Sequence, residues 1–130
     1  MARKLFSFLG TSKYEPCYYY LTVDERQIMD THYRCYVQES LINLLPKTGK
    51  SVEEIIVFKT NEAHKSNWIK NNNDQLGLPG LEDSLKKYEE KCKITSVQIP
   101  SGRSEEELWQ IFDKVLRQIE PGDEIIFDIT

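Results

Sequence analysis

Ile55-Ile56-Val57-Phe58-Lys59-Thr60 is an unbroken apolar run that closes on a lysine and a hydroxyl residue. A half-covered strand alternates apolar and polar positions, whereas a run without alternation suits a strand covered on both faces, as in parallel sheets. Leu5-Phe-Ser-Phe-Leu-Gly-Thr11, Ile94-Thr-Ser-Val-Gln-Ile-Pro-Ser-Gly102 and Glu124-Ile-Ile-Phe-Asp-Ile-Thr130 have the same form. Helix-like segments separate the four. The expected fold is therefore α/β, a mostly parallel sheet flanked by helices, with the polar strand ends gathered along one edge. Open sheets of this kind bind ligands beyond the carboxyl ends of their strands. Function is accordingly sought in Gly10, Thr11, Ser12, Lys13, Thr60, Asn61, Ser101, Gly102, Arg103, Asp128 and Thr130.

The chain has 130 residues, 39% of them hydrophobic and 29% charged, which is enough for one domain with a real core and argues against disorder or a membrane span. A formal charge of -4 disfavours a general duplex-DNA or anionic-membrane surface, since such binding draws on many Lys and Arg contacts to phosphate. A small anion held by local donors is compatible with it. Cys17, Cys35 and Cys92 are widely spaced and form no C-x-x-C pair, which fits reduced thiols in the cytoplasm. His32 and His64 stand in no ligand spacing with a cysteine, so no metal is expected, and no motif calls for a cofactor. The apolar stretch after Arg3 and Lys4 is shorter than the core of a signal peptide and reads as the first strand.

Between the first two runs, Cys17 to Val23 and about Gln27 to Arg34 read as the arms of a β-hairpin around Asp24-Glu25-Arg26, an insertion on the rim of the sheet. Tyr18, Tyr20 and Thr22 share one face of it; Tyr19 and Leu21 share the other. Val37, Leu41, Leu44 and Leu45 recur at helical spacing, and Pro46 with Gly49 ends that helix. Asn61-Glu62-Ala63 opens a short helix. Asn71-Asn72-Asn73-Asp74 and Gly77-Leu-Pro-Gly80 read as a mobile loop. Leu81, Leu85, Tyr88 and Cys92 mark one side of a second helix. In the third, Ser104 stands three residues before Glu107 as in a capping box, and Leu108, Ile111, Phe112, Val115 and Ile119 trace an apolar face up to Pro121-Gly122. The last run reads as a central or near-central strand. It ends the chain with no closing helix, so the sequence reads as the front portion of something longer, with a naturally minimal domain as the alternative.

Gly10-Thr11-Ser12-Lys13 supplies glycine for close backbone approach to an anion, with hydroxyl and ammonium donors beside it. Neither a Walker loop nor a G-x-G-x-x-G fingerprint is present, and a simple turn uses the same residues. Ser101-Gly102-Arg103-Ser104 precedes a helix whose first amides need partners; Ser104 and Glu107 supply them, and Gly102 and Arg103 are the residues available to a phosphate. Asp128 and Thr130 stand at a strand tip, where they either orient a ribose or base or, for Asp128, bind loop amides. The tyrosines at 14, 18, 19, 20, 33 and 36 read as hairpin packing rather than base stacking. No Ser/His/Asp set, acid/base carboxylate pair or Cys/His nucleophile emerges.

Four blocks, Ser7-Phe-Leu-Gly-Thr11, Tyr36 to Leu45, Ile99-Pro-Ser-Gly-Arg-Ser-Glu-Glu-Glu-Leu-Trp-Gln-Ile-Phe112 and Gly122 to Thr130, together resemble the amino-terminal CRISPR-associated Rossmann-fold (CARF) domain of type III CRISPR-associated ribonucleases. The resemblance lies in the order of the blocks and spans almost the whole chain. It implies one Rossmann-like domain over residues 1–130 that pairs as a two-fold homodimer and binds a cyclic oligoadenylate messenger across the interface. A two-fold site presents the same donors twice, which suits a ring with an even number of phosphates.

Carried onto this chain, the implied contacts are Gly10, Thr11, Ser12 and Lys13, then Thr60 and Asn61, then Gly102 and Arg103. Relatives continue after the D-x-T with a His-Gly-x-Arg segment and a helical ribonuclease effector; this sequence has neither. The implied activity is antiviral sensing by binding. The alternatives are a metal-independent ring nuclease, with Thr11, Ser12 and Lys13 as first suspects, and a generic nucleotide-binding domain. Arg26 and His32 match the spacing of a helical ribonuclease signature, but here they flank the hairpin turn.

Overall fold

The computed structural model describes residues 2–72 and 77–128. Its parallel four-stranded sheet has the order β5-β4-β1-β6, built from β1 (Arg3–Leu9), β4 (Glu54–Lys59), β5 (Lys93–Gln98) and β6 (Glu124–Asp128). β1 and β4 lie at the centre, with Leu5 opposite Ile55 and Phe6 opposite Ile56. Odd and even positions of β1 point to opposite faces. Leu5, Leu9, Ile55 and Val57 meet the layer formed by α1 (Val37–Leu44), α3 (Leu81–Leu85) and the turns around Tyr36, Trp68 and Tyr88. Phe6, Ile56, Phe58 and Ile99 meet Ile111 and Val115 of α4 (Glu105–Leu116), and Ile119 just after it, on the other face. The architecture is Rossmann-like α/β, with the hairpin of β2 (Tyr20–Val23) and β3 (Arg26–Met29) inserted after the first strand.

Local sequence explains where the elements stop. α1 tightens into a 3₁₀ turn over Leu45–Thr48, and Gly49 ends it at φ 78°, a left-handed conformation that costs a residue with a Cβ more than it costs glycine. The Ser104 hydroxyl accepts from the Glu107 amide at 3.1 Å, as the capping motif requires. Glu107 does not close the box onto Ser104. Its carboxylate accepts from the Gly102 amide instead, also at 3.1 Å. The hairpin turns on two residues, Asp24 and Glu25, both at positive φ, which is the handedness that matches strand twist; Arg26 already belongs to β3. Tyr20 and Thr22 are exposed while Leu21 packs on the core, as alternation predicts.

Three expectations need correction. Only β1 and β4 are covered on both faces. β5 and β6 are half-exposed because they are the edges of the sheet among the described residues, so an apolar run alone did not distinguish centre from edge. β6, expected near the centre, pairs with β1 alone. The apolar face expected for the third helix splits: Ile111 and Val115 of α4, with Ile119 beyond its end, reach the sheet, while Leu108 and Phe112 turn outward, 56% and 55% exposed, beside Trp109 and Leu116. One helical stripe can touch a flat sheet; the neighbouring stripe stays open. The hairpin, inserted after β1 as expected, forms a two-stranded sheet of its own. Of the loop expected to be mobile, residues 73–76 lie outside the described residues. Its flanks are tied down, with Asn71 donating to the Tyr36 hydroxyl at 3.1 Å and that hydroxyl donating to the Pro79 carbonyl at 3.2 Å.

At the end of the sheet opposite the strand tips, the Lys4 ammonium meets Asp123 at 2.7 Å and donates to the Gln118 carbonyl at 2.8 Å, both charged side chains being almost fully covered. Its hydrogen bond to Asp123 raises the Lys4 pKa against the opposing effect of burial. The Lys4 ammonium and the Glu120 amide in turn pull the Asp123 carboxyl down to about 2. A carboxyl depressed in the folded state stabilises above its unfolded pKa, roughly 3.9, and loses that contribution as pH falls through the folded value. Asp123→Asn is therefore expected to lower the denaturant midpoint at pH 7, with the gap to wild type closing between about pH 4 and about pH 2; an unchanged gap refutes the pairing. A Cβ at Gly80 would lie 2.4 Å from the Trp68 carbonyl oxygen and 2.5 Å from the Lys70 nitrogen, both backbone atoms with little room to yield. Gly80→Ala should cost roughly 1–3 kcal/mol or more in chemical denaturation.

Candidate functional site

Parallel pairing sends the loops after β1, β4 and β5 out of one edge of the sheet. Gly10 to Lys13 follow β1, Thr60 and α2 (Asn61–Ala63) follow β4, and Ile99 to Arg103 lead from β5 into α4. Thr11, Thr60, Glu62, Ser101 and Arg103 line one open cleft there, of about 460 Å³. Three strand ends that are far apart in sequence thus contribute to a single depression.

Each contributor is held for a local reason. The Thr60 hydroxyl accepts from the Ala63 amide at 3.1 Å, which starts α2 and leaves the hydroxyl proton free to point at another acceptor. Glu62, two residues on, lines the same cleft. Its own amide, the hydroxyls of Thr60 and Ser101 and the nearby Arg103 guanidinium keep the Glu62 carboxyl below the usual carboxylate range. Gly102 stands at φ 78°, and a Cβ there would come within 3.3 Å of Leu108 and Ile111, so glycine permits both the turn and the approach of α4.

The loop after β1 is clamped from the opposite side. Following α2, a π-helical turn over His64–Trp68 carries Asn67 into the interior. Its amide donates to the Gly10 carbonyl at 2.8 Å and the Ser12 carbonyl at 3.0 Å, while Asn72 donates to the Thr11 carbonyl at 2.9 Å. The Gly10 amide donates to the Tyr14 hydroxyl at 2.9 Å. With the Gly102 amide engaged by Glu107 as well, the two glycine amides expected to face an anion are already used. The cleft presents hydroxyls, a guanidinium and a carboxylate.

Of the residues singled out from sequence, Thr11, Thr60, Ser101 and Arg103 come together. Gly10 and Gly102 support their loops from behind the lining. Ser12, Lys13 and Asn61 are exposed on the same edge without lining the cleft. Asp128 points elsewhere: it accepts from the buried Ser7 hydroxyl at 2.8 Å, and Ser7 accepts from Gln38 of α1 at 2.9 Å, which ties β6, β1 and α1 together. Thr130 lies outside the described residues. Sequence reasoning did not single out Glu62 or Asn67 for the site. Glu62 sits two residues beyond a capping threonine at a strand end, which was a usable signal. Asn67 had none, because its role depends on a π-turn that no periodicity announces.

A second cleft, of about 430 Å³, opens between the hairpin exit and α3, lined in part by His32, Arg34, Tyr36, Glu39 and Lys87. Its charged side chains answer one another, Arg34 to Asp30 at 2.6 Å and Lys87 to Glu39 at 2.8 Å. The strand-end cleft is the better candidate because three neighbouring strand ends meet on it, where parallel sheets bind their ligands. Among the described residues no group of three metal-ligating side chains occurs, and no helix is long and apolar enough to cross a membrane. No protein-family model and no curated protein matches the chain. Asn67→Ala removes both amide donors to the first loop and is expected to destabilise by about 1–3 kcal/mol, with faster amide exchange confined at first to Gly10–Lys13; uniform protection there would contradict the clamp.

Proposed function

We propose that this chain is a sensor domain that binds a cyclic oligoadenylate messenger of type III CRISPR antiviral defence and regulates a ribonuclease effector. The observation that carries the reading is the meeting of Thr11, Thr60, Ser101 and Arg103, from three neighbouring strand ends, on one cleft at the carboxyl edge of a parallel sheet. Arg103 offers a charge-assisted bond to a phosphodiester, worth roughly 1.5–3 kcal/mol, and the hydroxyls both donate and accept toward ribose and phosphate. Binding, with the conformational consequence passed to an effector, needs none of the acid/base or nucleophile sets that the sequence lacks.

The resemblance to CARF domains supplies the ligand class. In the proposed assembly two copies pair about a two-fold axis. α4 begins next to the cleft and leaves Leu108, Trp109, Phe112 and Leu116 exposed, so a second copy seated on that stripe brings its own cleft alongside.

Titration calorimetry with cyclic tetra- and hexa-adenylate tests the proposal. One ring should bind with a stoichiometry of one per two chains, and Arg103→Ala should weaken it by roughly 10- to 100-fold. Absence of heat with both rings, or unchanged affinity in the variant, would falsify it.

A further inference from the structure

Glu62 is the one carboxylate in a cleft otherwise lined with hydroxyl and cationic donors. A carboxylate there cannot assist an anion. It can only accept, so its useful partners on a nucleotide are hydroxyl and amino groups. Its position in the sheet narrows the choice. β4 is the strand next to β1, and Glu62 stands just past its carboxyl end, three residues after Lys59. In doubly wound sheets, an acidic residue at the end of the strand beside the first one accepts from ribose hydroxyls while the phosphates lie over the neighbouring loops. Here Ser101 and Arg103 on the β5 side and Thr11 on the β1 side flank the β4 end, so donors suited to phosphate border the carboxylate on both sides.

We propose that Glu62 accepts a hydrogen bond from a ribose 2′-hydroxyl and makes the cleft selective for ribonucleotide over deoxyribonucleotide ligands. The carboxylate is kept ionised by its own amide, the Thr60 and Ser101 hydroxyls and Arg103, so it remains an acceptor throughout the neutral range. Thr60 is itself held by the Ala63 amide, which leaves its hydroxyl proton available to the carboxylate. Glu62 is exposed and takes no part in the core, so replacing it leaves the fold intact.

The inference rests on the nucleotide reading of the cleft, and the experiment separates the two. Binding of cyclic tetra-adenylate and its all-2′-deoxy counterpart is measured on wild type, Glu62→Ala, Glu62→Gln and Arg103→Ala. Wild type should prefer the ribose ring by roughly tenfold or more, the worth of one charge-assisted bond. Glu62→Ala should bring the ratio close to one, Glu62→Gln should retain part of it, and Arg103→Ala should weaken both rings while keeping the ratio. Equal binding of the two rings by wild type, or a preference that survives Glu62→Ala, overturns the role of Glu62 while the sensor reading stands. If neither ring binds, the sensor reading falls, and adenosine diphosphate against its 2′-deoxy form decides the matter for Glu62. A ribose preference lost in Glu62→Ala supports the role, and no preference, or no binding, overturns it.

Discussion

The parallel ladder between β1 and β4 is the constraint from which the rest of the molecule follows. Two adjacent strands running the same way must be joined by a connection that returns over one face, and here the hairpin and α1 make that return. Leu5, Phe6, Ile55, Ile56, Val57 and Phe58 are fully inaccessible as a result, with apolar layers on both sides. Phe6 and Phe58 meet edge to face with ring centres 5.3 Å apart, and Phe6 meets Phe127 in the same way at 5.5 Å, so one aromatic chain links the centre of the sheet to its β6 edge.

The same ladder places the cleft. Parallel strands carry all their carboxyl ends to one side, so the loops after β1, β4 and β5 become neighbours although Thr11 and Ser101 are ninety residues apart in sequence. The opposite end of the sheet is closed by the Lys4–Asp123 pair, which joins the start of β1 to the turn before β6. One end of the domain is thus fastened by a covered ion pair. The other end displays loops whose side chains point into solvent around a common hollow.

The cleft owes its polarity to side chains rather than to a glycine-rich backbone cradle. Tyr14 and Glu107 consume the amides of Gly10 and Gly102, and Asn67 and Asn72 hold the carbonyls of the first loop. This backing fixes the loops that carry Thr11, Thr60, Ser101 and Arg103. The one carboxylate, Glu62, adds an acceptor to a lining that otherwise donates.

Sequence by itself determined the elements. The four apolar runs, the Ser104 cap, the Gly49 stop and the alternation at Tyr20 to Thr22 depend on contacts within a few residues, and each was legible in the pattern. Thr11, Thr60 and Arg103 could be named for the same reason, as polar residues immediately after expected strands. Tertiary structure alone decided which runs were central and which were edges, since β4 and β6 carry similar apolar content and differ only in whether a second neighbour pairs with them. It also decided that Leu108 and Phe112 face outward, that Asp128 turns to Ser7, and that Asn67 reaches back to the first loop. Those outcomes come from the docking of whole elements against one another, and a hydrogen bond across more than fifty residues leaves no mark on the local sequence that makes it.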